Sequence, residues 1–188
     1  SERDREWEGA IKEMLGGHGL HGFLTAFAIG RKEKGKNWAK GELVIEKIGG
    51  GKPIKFSSAI CYSGERDVGD DYTKKDRAIE QTVTKNNGLA KNDAEQKVLR
   101  ELEGKVAGVN VGGKSKWTVK FSMITSSGPC DICRETISTF KKSLEEKFKV
   151  NVEGIVAYGE SKDITKRKND LTTYGYTDTQ VSNTGIRY

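Results

Sequence analysis

The 188 residues include only two prolines, two methionines, two histidines and three cysteines. Three cysteines are too few for the disulfide framework that staples small secreted domains. No apolar run approaches the ~20 residues that a membrane-spanning helix needs, so no membrane association is expected. A signal peptide is not expected either, because Ser1, Glu2, Arg3, Asp4 and Arg5 are polar or charged from the start. Position 1 is not methionine, as in a domain that belongs to a longer polypeptide or in a trimmed one. There is no internal repeat and no low-complexity tract.

What remains is the composition of a globular domain with a real core: 34% hydrophobic and 32% charged residues. The net charge of +6 suits an anionic partner such as nucleic acid, or merely a solvated lysine-rich surface. Periodicity divides the chain. Residues 1–20 form an amphipathic helix, with Trp7, Ile11, Met14 and Leu15 at helical spacing, closed by Gly16 and Gly17. Residues 20–29 are apolar enough for a buried helix, and a basic stretch follows over 31–40. Leu43 to Ile45 and Ile54 to Tyr62 read as two strands joined by a Gly-rich turn. Residues 64–91 are polar and read mostly as loop with one helical turn. Asp93 to about Val106 is a helix with Val98, Leu99 and Leu102 as its apolar stripe. Trp117 to Thr125 alternates as a strand, Cys130 to Phe148 is a second long helix, and Val150 to Tyr158 a further strand. The tail from about 159 is polar. It either adds a marginal helix and an edge strand or drapes over the surface. The domain expectation is a helical extension over 1–20 and one domain over 21–188.

Two short segments carry chemistry. Asp93 and Glu95 open the first long helix as D-x-E. Pro129, Cys130 and Cys133 open the second as P-C-x-x-C. Both helix starts present partial positive charge, which favours thiolate over thiol. Cys130 and Cys133 lie on one helix face that continues through Ile137, Phe140 and Leu144. Glu95 falls in line with Val98, Leu99 and Leu102, where a carboxylate is costly unless it is bonded or functional. Each residue also has a plain reading. Asp93 caps its helix, Glu95 complements the helix dipole, and the cysteines form a redox dithiol or half of a structural zinc site. Cys61 reads most simply as a small core residue, and His18 and His21 as exposed residues of a Gly-rich turn.

Taken together, D-x-E followed by P-C-x-x-C resembles the H-x-E…P-C-x-x-C signature of the zinc-dependent nucleobase deaminases. Asp93 stands where a histidine or cysteine is usual. The order helix, strand, strand, helix, strand, helix, strand resembles the cytidine-deaminase fold over roughly 22–160. That resemblance implies an α/β fold, a three-layer α/β/α sandwich with a central mixed sheet of about five strands. It also implies Zn2+ held by Asp93, Cys130 and Cys133, with Glu95 as the proton shuttle. Aspartate is a competent zinc ligand, but with two thiolates it leaves the first shell at net −1.

The wording around the motifs is most similar to the deaminase toxin domains of bacterial polymorphic toxins. The residues that carry this are Lys97, Val98 and Leu99 after the first motif, with Phe140, Lys141 and Lys142 after the second. The implied activity is cytosine-to-uracil deamination in nucleic acid, single-stranded DNA foremost. The implied setting is a secreted effector acting in the cytoplasm of a target cell, with an immunity protein protecting the producer. On the same resemblance Ser57, Ser58 and Ala59 form part of the base-pocket floor. Thr125, Ser126 and Ser127 reach the base edge or backbone, unless both trios are ordinary polar strand ends. Lys162, Lys166, Arg167 and Lys168 are candidates for phosphate contacts, and Tyr174 and Tyr176 for stacking. Two other classes stay open: a non-catalytic zinc-containing nucleic-acid-binding module, and a deaminase of free nucleosides or nucleotides.

Overall fold

A computed structural model describes residues 2–16, 37–64, 77–158, 164–182 and 184–188. The expected helix over 20–29, most of the basic stretch, and His18 and His21 lie outside the described residues, as does the side chain of Trp7. The described elements are α1 (Glu2–Leu15), β1 (Trp38–Lys47), β2 (Ile54–Ser57), β3 (Cys61–Tyr62), α2 (Ala78–Lys85), α3 (Ala94–Val106), β4 (Trp117–Thr125), α4 (Asp131–Phe148), β5 (Glu153–Tyr158), α5 (Ile164–Thr173) and β6 (Gly185–Arg187). Among them no helix is long and apolar enough to cross a membrane.

The strands form one open mixed sheet of six, ordered β2-β1-β4-β5-β6, with β3 also on β1. Among the described strands only β4 and β5 run parallel, joined through α4; the other pairs are antiparallel. The alternation read in β4 holds. Trp117, Val119, Phe121 and Met123 are buried on the face that carries α2, α3 and α4, while Thr118 and Lys120 are exposed. Phe121 meets Phe140 edge to face at 5.5 Å, and Trp117 meets Phe148 at 5.6 Å, both favoured ring geometries. The opposite face is covered by α1, whose Ile11 and Leu15 pack with Trp38, Ile124 and Ala157. Helices therefore lie on both faces, compatible with a three-layer sandwich, and α1 supplies part of the second layer.

Two expectations are corrected. The strand read over Ile54 to Tyr62 is broken at Ser58. Its hydroxyl accepts the Gly41 N–H at 2.8 Å, and the following Ala59 N–H turns to the Glu101 carboxylate at 3.2 Å. A side chain thus takes one rung of the ladder, and pairing resumes at Cys61. The second correction is α2, whose eight residues make about two helical turns in a segment read mostly as loop with one turn. Its first N–H groups, at Ala78 and Ile79, donate to the Glu103 carboxylate of α3 at 3.0 and 3.3 Å. These are donors that a helix start must satisfy, and here the cap comes from another helix. Burial pushes the Glu103 carboxyl up, eased by the same two N–H groups.

Gly41 sets how closely α3 lies on β1. A methyl group there would overlap Val98 Cγ1 and come within 2.9 Å of Leu102 Cδ1. Gly41→Ala is expected to cost about 1–3 kcal/mol of stability, the usual penalty for overfilling a packed core. Urea unfolding followed by circular dichroism measures it.

Candidate metal centre

The loop from α2 into α3 is built to deliver Asp93. Asn87, Gly88 and Ala90 all take positive φ, at 57°, 76° and 60°. Asparagine and glycine tolerate this; alanine pays for it. The Ala90 carbonyl accepts the Asp93 N–H at 2.9 Å, and the Gly64 N–H ties the Asn92 carbonyl at 3.1 Å. Arg100, buried in α3, donates to the Lys91 carbonyl and pairs with Glu80 of α2, both at 2.5 Å. Ala90→Gly should raise stability by about 0.5–1 kcal/mol by relieving the left-handed strain, less the added chain entropy of glycine. Thermal unfolding with calorimetry checks it.

Asp93 occupies the position before α3 but makes no side-chain cap hydrogen bond. The plain capping reading is therefore excluded. Its Oδ2 instead lies 3.4 Å from Cys133 Sγ and 3.9 Å from Cys130 Sγ. The three ligand atoms fall within 4.8 Å of one another. Tetrahedral zinc, with bonds of about 2.3 Å to sulfur and about 2.0 Å to oxygen, would separate its sulfur and oxygen ligands by about 3.5 Å. The donor set and spacing thus fit a metal ion held by three protein ligands. Cys130 precedes α4 as Asp93 precedes α3, so two helix N-termini converge on the site.

Glu95 lies in the first turn of α3, 6% exposed, with Oε2 3.9 Å from Cys133 Sγ. Burial pushes its carboxyl up to about 7, further helped by the nearby Asp93 and Cys130 charges and opposed by hydrogen bonds to its own N–H and to the Thr125 hydroxyl. The cysteines divide one proton unequally. A hydrogen bond with Cys133 holds Cys130 down to about 7, while the same bond and burial push Cys133 well up.

The remaining sequence candidates separate. Thr125 stands beside Glu95. Its hydroxyl also accepts the Ser127 N–H at 3.0 Å and reaches the Ser127 carbonyl; with one proton it serves one acceptor at a time. Ser126 Oγ accepts the Trp38 N–H at 3.0 Å, and Ser127 Oγ lies 3.4 Å from Asn37 Oδ1. Ser57, Ser58 and Ala59 lie along the second half of α3, held by Lys105, Gly41 and Glu101. Cys61 is outside the ligand cluster, with Sγ 3.5 Å from the Ala59 carbonyl. Lys162 and the side chains of Lys166 and Arg167 lie outside the described residues; Lys168 is exposed.

Tyr176 is corrected from surface to core. It is 2% exposed, its hydroxyl 2.6 Å from that of Tyr188, with the Arg134 guanidinium 5.8 Å from its ring centre. Burial pushes the hydroxyls of both tyrosines well above their ordinary range. Gly175 permits the approach of Arg134, since its φ of 96° suits glycine and a Cβ would stand 3.0 Å from the guanidinium. Gln96, Thr136, Arg134 and Tyr188 escaped the sequence reading. For Gln96 the available signal was its place directly after Glu95, in the buried first turn. No family model, curated protein or solved structure matches the chain.

Proposed function

We propose that the protein is a zinc-dependent hydrolytic deaminase that converts cytosine to uracil in nucleic acid, with single-stranded DNA as the first substrate to test. The observation that carries this reading is the placement of a buried carboxylate, Glu95, beside an Asp93, Cys130 and Cys133 cluster of metal-binding dimensions. Zinc in that cluster would supply Lewis acidity, lowering the pKa of water to about 7.

The chain's own residues do the rest. Cytosine and water give uracil and ammonia: a C4–O bond forms and the bond from C4 to the exocyclic amine breaks. Glu95 takes one proton from the attacking water and gives it to ring N3, then carries the second, from the new C4 hydroxyl, to the exocyclic nitrogen, which leaves as ammonia. A carboxylate in a site this buried can act as both base and acid. Thr125 steadies Glu95 through its hydroxyl. The resemblance to polymorphic-toxin deaminases extends the proposal to a secreted effector working in the cytoplasm of a target cell, restrained by an immunity protein.

The test is incubation of the purified protein with single-stranded DNA and with RNA, followed by sequencing for C-to-T and A-to-G changes, and with free cytidine, followed by assay for uridine. C-to-T conversion in DNA that vanishes in Glu95→Gln supports the reading. Conversion of free cytidine alone would reassign the substrate to nucleosides. Zinc-bearing protein that binds nucleic acid but converts nothing would sink the enzymatic reading in favour of a binding module.

A further inference from the structure

Gln96 follows Glu95 in the first turn of α3, and its side chain lies wholly out of solvent between α3 and α4. A buried amide is retained at a cost to stability unless its hydrogen-bonding groups are met. Here only half of them are. Gln96 Nε2 lies 2.8 Å from Thr136 Oγ1 and 3.9 Å from Cys133 Sγ, while Gln96 Oε1 is buried with no partner among the described residues.

The orientation of the amide follows from counting protons. Thr136 has one hydroxyl proton, and it goes to the Ile132 carbonyl at 3.0 Å, one turn back in α4. Thr136 Oγ1 can then only accept. In this orientation the Gln96 amino group donates to Thr136 and leaves the Thr136 proton on the Ile132 carbonyl; the flipped amide would take that proton away from Ile132. The same amino group has a second N–H, and the acceptor within its reach is Cys133 Sγ. Thr136 and Cys133 sit three residues apart on one face of α4. Both contacts are therefore made to one rigid surface. Methionine, with nearly the same length, would fill the space without leaving an orphaned carbonyl.

We infer that Gln96 is a positioning residue for the metal centre: braced by Thr136, it donates an N–H to the Cys133 sulfur and holds that sulfur as a ligand. Partners of this kind orient ligands and tune the metal. A neutral donor suits this site. Two thiolates and a carboxylate carry one negative charge more than a divalent ion offsets, and an N–H on sulfur spreads part of that excess. The inference rests on the metal-binding half of the proposed function and is independent of the deamination chemistry.

The test is titration of the metal-free protein with Zn2+ by calorimetry, and with Co2+ by its sulfur-to-metal absorption, in wild type, Gln96→Met and Gln96→Glu. Thermal unfolding of each metal-free protein runs in parallel. Gln96→Met is expected to bind Zn2+ about 10–100-fold more weakly, with a shifted Co2+ charge-transfer band, while its metal-free melting temperature is equal to or above that of wild type. A filler role alone would leave the metal affinity unchanged, and that result overturns the inference. Gln96→Glu replaces the donor with a carboxylate of the same size and is also expected to weaken Zn2+ binding. It decides the matter if the methionine variant does not fold, and equal or tighter binding in it counts against the inference. Wild-type protein that takes up no Zn2+ or Co2+ would remove the metal reading itself, a different failure from an unchanged variant.

Discussion

Glu95→Gln is expected to lower deamination by about 10²–10⁴-fold, the usual contribution of a positioned general acid and base, without unfolding the protein or emptying its metal centre. The substitution keeps size and shape in a position that is 6% exposed. It removes a carboxyl group whose burial is the leading cause of its raised pKa, so the fold gives up little. On the proposed mechanism, what disappears is the capacity to take a proton and hand it on. Asp93, Cys130 and Cys133 remain, so zinc content should match the wild type when measured by elemental analysis. Product formation on single-stranded DNA gives the rate. Wild-type activity in this variant would show that Glu95 is not the shuttle.

Cys133→Ala is expected to have the other large effect. Cys133 is 1% exposed, and its sulfur lies 3.4 Å from Asp93 Oδ2. Removing it should weaken zinc binding by more than the ~10–100-fold that loss of an outer partner costs, and activity should fall with it. The direct packing loss is that of one sulfur atom, about 1 kcal/mol. The metal-free variant should therefore still unfold cooperatively. Cys61→Ala is the control: that sulfur lies outside the cluster, and the zinc affinity of the variant should equal that of wild type. Undiminished zinc binding by Cys133→Ala would place the metal elsewhere.

The regular elements were legible where one local pattern carries them. The alternation from Trp117 to Met123 marked β4, and the apolar stripe of Val98, Leu99 and Leu102 marked α3. The site was legible through two helix starts, Asp93 with Glu95 and Cys130 with Cys133. What stayed hidden depends on residues far along the chain. α2 owes its first turn to Glu103, and Arg100 ties Glu80 to the loop ahead of Asp93. The break at Ser58 needs the Gly41 N–H, on another strand. Tyr176 lies in a polar tail, yet it is buried by Tyr188, Leu171 and Ile186 from within the same tail. Gln96 looked like any polar helical residue until α4 placed Thr136 and Cys133 opposite it.

The absence of a side chain at Gly41 makes this position a gauge for the bore of the candidate metal centre. α3 is a stiff rod that rests on β1 through Val98 and Leu102. Asp93 and Glu95 ride at its near end, while the sulfurs belong to a different rod, α4. A one-methyl shim under the fulcrum would tip the carboxylates relative to the thiolates without touching either. The separation of the ligands is thus tunable from a strand that supplies none of them. Alanine at 41 offers a way to ask which ionic radius the proposed centre accepts at its native spacing.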